Sequence, residues 1–218
     1  MQTIWNLNDN DKLIIFFSGW GMDYKATEHL SYEGWDVCTC YDYTDLSTDD
    51  IDSWRSYRTV LLVAWSMGVW AAEAIAAKEK LYIDGAVAIN GTPYPVHDDY
   101  GIPSKIAWAT HDGLDADSLD KFYRRTFGGA ELHKKMSDAL PETRDIDNLR
   151  EQLYKIYNDK CGDGHIKWDM AVVSENDKIF PVGNLRKYWE KKCRINLIKA
   201  PHYPFHLIER WEDVANGW

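Results

Sequence analysis

The sequence predicts an α/β fold, a mostly parallel central sheet with a helical insertion, and three observations carry that expectation. Short apolar runs recur through the first half of the chain and end at glycine or serine turns. Strand signals vanish between Pro103 and about His165, where helical patterns take over. They return in the last third. Alternating strands and helices favour a parallel sheet covered by helices.

The elements follow in order. Leu13 to Phe17 is a continuous apolar run stopped by Ser18-Gly19, as expected of a buried strand. Trp35 to Tyr41 is a second strand, in which Cys38 and Cys40 face one side. The acidic stretch from Asp42 to Asp52 reads as a loop. Thr59 to Ala64 is a third strand, and the alanine-rich Val69 to Lys78 is the helix after it. Ile83 to Asn90 is a fourth strand, halted by Gly91-Thr92-Pro93. In the insertion, a helix opens at Asp117 to Asp120 and ends at Gly128-Gly129. Glu131 to Ala139 and Ile146 to Tyr157 form two more. Ile166 to Val173 and Arg194 to Ile198 complete the sheet. The core is therefore expected over 1–102 and 166–218. The helical cap, or lid, is expected over 103–165, above the strand C-termini where open α/β sheets place ligands.

Composition limits the partners. The chain has 218 residues and 45% apolar content, enough for one core with a modest insertion. Its net charge of −10 disfavours nucleic acid and anionic lipid, and an acidic protein partner would need a local basic patch. The 11 tryptophans and 13 tyrosines fit either an aromatic-lined pocket or an aromatic-rich core. The four cysteines have neither CxxC nor zinc spacing. Met1 to Asn8 lacks a basic region followed by an apolar one, and no run reaches membrane-spanning length. A cytoplasmic monomer with reduced thiols is expected.

The strongest local signal is Ala64-Trp65-Ser66-Met67-Gly68. A strand runs into Ser66 and a helix leaves it. The residues two before and two after must be small, because that turn is tight and strained. Ala64 and Gly68 satisfy this, and Ser66 is the expected nucleophile of an α/β-hydrolase fold. A serine needs a base, and the base needs an acid to hold its tautomer. Only His202 and His206 follow the last strand, and His202 lies just beyond its C-terminal end. The acid is sought after the preceding strand, in Ser174 to Pro181, where Asp177 is favoured and Glu175 is the alternative. The oxyanion needs two backbone donors. Met67, after the nucleophile, supplies one. Trp20, in the Ser18-Gly19-Trp20-Gly21-Met22-Asp23 loop, supplies the other. The rings of Trp20, Trp65, Phe122 and Phe127 are candidates to contact substrate.

Phe17 to Asp23, Ala64 to Trp70, Ile89 to Pro95 and Pro201 to Phe205 together resemble the BioG-type esterases, over about Leu13 to Phe205. The resemblance extends more loosely to the BioH-type esterases, where Ser18 replaces a histidine. It implies hydrolysis of pimeloyl-acyl carrier protein methyl ester in biotin synthesis, with no metal or organic cofactor and an acyl carrier protein as partner. Carrier proteins are acidic. Lys121, Arg124 and Arg125, on one face of a predicted helix, would form the docking patch, with Lys134 and Lys135 extending it. A general carboxylesterase or thioesterase with the same three residues, and a hydrolase-like protein that only binds, are the alternatives.

Overall fold

The computed structural model describes residues 1–142 and 145–216. Seven strands form one sheet: β1 (Gln2–Asn6), β2 (Lys12–Phe17), β3 (Asp36–Tyr41), β4 (Thr59–Trp65), β5 (Gly85–Ile89), β6 (Met170–Ser174) and β7 (Arg194–Ile198). Their spatial order is β1-β3-β2-β4-β5-β6-β7, and every pairing except β1 with β3 is parallel. The mostly parallel sheet is thus as the apolar runs predicted. β2, β4, β5 and β6 are its buried centre, which is why they read as continuous apolar runs.

The helices are α1 (Ile51–Arg55), α2 (Gly68–Ala76), α3 (Ser104–Asp112), α4 (Ala116–Thr126), α5 (Ala130–Lys135), α6 (Ile146–Asn158), α7 (Val182–Trp189) and α8 (Trp211–Ala215). α2 is buried from Gly68 to Ile75, consistent with a helix that is apolar all round. α4 starts on an Asp115–Ser118 capping box and stops at Gly128, whose φ is +77°. α3 to α6 lie between β5 and β6 in the chain. They pack onto the loops at the strand C-termini: Tyr123 Oη donates to the Gly21 carbonyl at 2.6 Å, and Trp20 Nε1 donates to that of Leu149 at 3.0 Å.

Several boundaries differ from the sequence expectation. β1 has no alternating apolar pattern to announce it, and forms because β3 offers it an unpaired edge. The strand expected from Ile166 begins at Met170, where pairing with Val87 starts. The preceding residues are held by side chains instead: Glu73 accepts from His165 N at 3.0 Å and Trp168 Nε1 at 2.8 Å. The helix expected over Glu131 to Ala139 breaks at Met136 into α5 and a single 3₁₀ turn, Ser137–Ala139. The loop expected from Asp42 to Asp52 ends early, in α1. α3 and α8 carried no sequence signal that was read.

The aromatic residues serve mostly the core. Trp54, Trp65, Trp70, Trp168, Trp189 and Trp211 are all buried in the main apolar cluster. The four cysteines are free thiols, with Cys38 and Cys40 fully buried at alternate positions of β3. Burial pushes the Cys161 and Cys193 thiols up to about 11. No helix among the described residues is long and apolar enough to cross a membrane.

Glu73 generates a stability prediction. Burial raises its carboxyl above the ordinary 4.5, while its bonds to Trp168 and His165 oppose that shift. Glu73→Ala strands two donors and should cost about 2–4 kcal/mol in urea unfolding. Glu73→Gln keeps an acceptor and should cost less. Because the folded-state value is raised, protonation of Glu73 favours the fold. Wild-type stability relative to Glu73→Gln should therefore rise as pH falls through the raised value towards 4.5. An unchanged difference between the two proteins across that window would contradict this.

Candidate active site

Five loops meet at the C-terminal edge of the sheet, and β4 supplies the sharpest of them. Its chain turns at Ser66 with φ +59°, a left-handed conformation strained for any residue with a side chain. Ser66 therefore does not cap α2; Met67 occupies that position and makes no side-chain cap bond. Two glycines make the turn possible. A Cβ on Gly68 would lie 2.3 Å from the Phe17 carbonyl oxygen, and one on Gly91 would lie 2.1 Å from that of Ser66. The Ser66 amide donates to the Ile89 carbonyl at 2.8 Å, pinning the turn to β5.

The structure brings Ser66, His202 and Asp177 into one hydrogen-bonded relay. Ser66 Oγ lies 2.9 Å from His202 Nε2, and His202 Nδ1 lies 2.7 Å from Asp177 Oδ2. An ionised carboxylate only accepts, so Nδ1 carries the proton and Nε2 is left to accept from the serine hydroxyl. The side chains of His202 and Asp177 are 2% and 0% exposed, so solvent does not compete for this bond. The other carboxylate oxygen, Oδ1, accepts the amides of Ile179 at 2.7 Å and Phe180 at 2.9 Å. These bonds fix the carboxylate plane. Glu175, the alternative acid, is exposed, and the imidazole Nδ1 is bonded to Asp177 instead. His206 is likewise elsewhere, donating from Nδ1 to the Tyr203 carbonyl at 3.0 Å.

His202 is held as firmly by its backbone as by its ring. Its carbonyl accepts from Trp65 Nε1 at 2.9 Å and from Asn90 Nδ2 at 2.9 Å. Asn90 is buried, has φ +48°, and also bridges to Ser174 through its Oδ1 and Nδ2. It joins the ends of β5 and β6 to the histidine loop. Phe180 stacks on the imidazole at 5.9 Å and 5°. Sequence reasoning noted Asn90 only within a longer motif. Its signal was a polar residue at the end of a buried strand, followed by a glycine that must approach Ser66.

Trp20 and Met67 line one narrow pocket with Ile102, Ala107, Phe122 and Ile179. Neither the Trp20 nor the Met67 amide bonds a protein acceptor among the described residues. The cavity is about 30 Å³, room for about one water. A longer ligand enters only if side chains at its mouth move. Phe122 meets the Trp20 ring edge-on at 4.9 Å. The other two candidate rings lie outside this pocket. Trp65 is core, packed on His202, Tyr203 and Phe205, because its indole faces back into the sheet to reach the His202 carbonyl. Phe127 packs on Tyr203 at 4.6 Å and borders a neighbouring groove. Lys121, Arg124 and Arg125 are all exposed on α4. Arg124 pairs with Asp120 at 2.8 Å, while Arg125, with Lys178, lines the pocket.

Two substitutions test this geometry. Gly91→Ala forces a methyl group against the Ser66 carbonyl and should destabilise by about 1–3 kcal/mol or more in urea unfolding, with loss of the Ser66 turn. Asn90→Ala leaves the Ser174 amide without its acceptor and should cost about 1–3 kcal/mol. Its His202 ring resonance in proton NMR should shift, and an unshifted resonance would show that Asn90 does not set the imidazole.

Known proteins share this architecture and sequence. The family model described as "Pimeloyl-ACP methyl esterase BioG" matches residues 1–214. The crystal structure of BioG from Haemophilus influenzae superposes with a TM-score of 0.89 at 35% identity, covering 98% of this chain and 99% of that one. A lipase-esterase related protein from Clostridium acetobutylicum shares the fold at TM-score 0.70 and 16% identity, over 99% and 98% of the two chains. A Bacteroides fragilis protein named malonyl-[acyl-carrier protein] O-methyltransferase is 36% identical over 208 residues, 93% of this chain. The chain spans only 41% of that relative's length. The fold is that of the α/β-hydrolases, and the chain belongs to the BioG family of pimeloyl-ACP methyl esterases, within the carboxylic ester hydrolases.

Proposed function

We propose that this chain is a serine esterase that hydrolyses the methyl ester of pimeloyl-acyl carrier protein methyl ester, releasing methanol and pimeloyl-acyl carrier protein for biotin synthesis in the cytoplasm. The observation that carries this reading is the buried relay from Ser66 through His202 to Asp177, at 2.9 and 2.7 Å. In it, His202 takes the Ser66 proton as the hydroxyl attacks the ester carbonyl. Asp177 keeps the imidazole in the required tautomer and stabilises the imidazolium that forms. The Trp20 and Met67 amides receive the oxyanion of the tetrahedral intermediate. His202 gives its proton to the departing methoxide, and then activates the water that cleaves the acyl-enzyme.

The substrate carries a second labile bond, its thioester to the carrier, and cleaving that would waste it. Position decides between the two. Residues 103–165 act as a cap over Ser66, the acyl chain threads through the pocket bounded by Trp20 and Phe122, and only the distal ester reaches the hydroxyl. Lys121, Arg124 and Arg125 on α4 meet the acidic carrier, with the chain acting as a monomer. Arg125 contributes twice in this reading, since it also lines the pocket.

Ser66→Ala should abolish labelling by a fluorophosphonate probe, and Asp177→Asn should lower kcat by about 10³–10⁴-fold. Wild-type kcat/KM should favour the carrier-linked methyl ester over p-nitrophenyl acetate. Lys121→Glu with Arg124→Glu should reduce it at least tenfold on the carrier-linked substrate alone. A preference for the small ester, unchanged in that double variant, would mark a general carboxylesterase instead.

A further inference from the structure

A groove of about 620 Å³ runs beside the site, between the turn joining α4 to α5 and the loops that hold Asp177 and His202. Phe127, Leu132 and Pro201 give it apolar walls, and Lys135, Lys178 and Lys199 give it three cations. Glu131 is the one carboxylate among its described lining residues. None of the three lysines has a carboxylate partner among the described residues, so their charges are not neutralised within the groove. Lys178 Nζ donates to the Gly128 carbonyl at 2.7 Å, which fixes one positive charge at the junction. The same side chain lines the pocket that contains Trp20 and Met67, so pocket and groove meet there. In a chain of net charge −10, this is a local reversal of sign next to the reactive serine.

We infer that this groove receives the phosphate of the arm that tethers the acyl chain to its carrier. The inference rests on the carrier-linked reading proposed above. A carrier holds its acyl group as a thioester on a phosphorylated pantetheine arm. With the distal ester at Ser66, the arm must leave the pocket mouth and run along the surface. Lys178 lines both the pocket and the groove, and Lys135 and Lys199 line the groove. Its apolar walls suit the methylene and methyl groups of the arm. Lysine ammonium groups suit a phosphate as point charges that need no fixed fork. Holding the arm in this way sets how far the acyl chain reaches, and so which of its two ester-like bonds meets Ser66.

The test uses the full chain and the double variant Lys135→Glu, Lys199→Glu, both surface residues of the groove. Free 4′-phosphopantetheine and pantetheine are titrated calorimetrically at low ionic strength, which needs no turnover. Phosphopantetheine should bind at least tenfold tighter than pantetheine. That ratio should fall below threefold in the variant and shrink with added salt. Equal behaviour of the two ligands, including no binding of either, overturns the inference, as does a phosphate preference that survives in the variant. On carrier-linked methyl ester the variant should raise KM at least tenfold with kcat unchanged, and p-nitrophenyl acetate turnover should stay within twofold. If that KM effect appears without any phosphate preference in the titrations, the groove docks acidic protein surface and the phosphate assignment fails. If the wild type does not hydrolyse the carrier-linked ester at all, the functional reading fails, and the titrations still decide whether the groove takes phosphate.

Discussion

The active-site geometry depends on one crowded contact, the crossing of the Ser66 turn between Phe17 and Gly91. The turn holds a left-handed serine, which the chain would not adopt unaided. It persists because neighbouring backbone leaves no other path. The α2 end approaches the Phe17 and Ser18 carbonyls at Gly68, and the loop after β5 approaches the Ser66 carbonyl at Gly91. Strain of about 1–3 kcal/mol at such a residue is tolerated when the surrounding core over-determines it. Here that core is the buried centre of the sheet and the wholly buried α2. The result is a hydroxyl raised on a rigid edge, at the place where a histidine loop can meet it.

The histidine loop is fixed by a different principle. A loop has few regular backbone partners, so its position must come from side chains. Trp65 and Asn90 both bond the His202 carbonyl, and each comes from the end of a central strand. Asp177 and Phe180, from the loop after β6, hold the ring. Three strand ends, those of β4, β5 and β6, thereby hold one residue beyond the end of β7.

Much of this was legible in the sequence, for identifiable reasons. Strands buried on both faces read as apolar runs, so β2, β4 and β5 were readable to within a few residues. The Ser66 turn was readable because its steric demand falls on positions close in sequence. The choice between Asp177 and Glu175 was readable only as a preference for Asp177, since both lie in one loop. What separates them is an Asx-type turn, with Oδ1 of Asp177 on the amides of residues two and three ahead. Side-chain direction was the main blind spot. Trp65 flanks Ser66 yet packs in the core, and Phe127 caps α4 yet packs on Tyr203. β1 was hidden because an edge strand needs little apolar pattern. The grouping of Lys135 with Lys178 and Lys199 was hidden because they come from three separate segments.

The bond from the Trp20 indole to the Leu149 carbonyl ties the glycine-rich loop after β2 to α6. Trp20 is thus held from two sides: it lines a pocket with Met67, and its ring is tethered to α6. Displacing α6 must either break that tether or drag the indole along. A shift of α6 and a change in the pocket wall that Trp20 forms are therefore coupled.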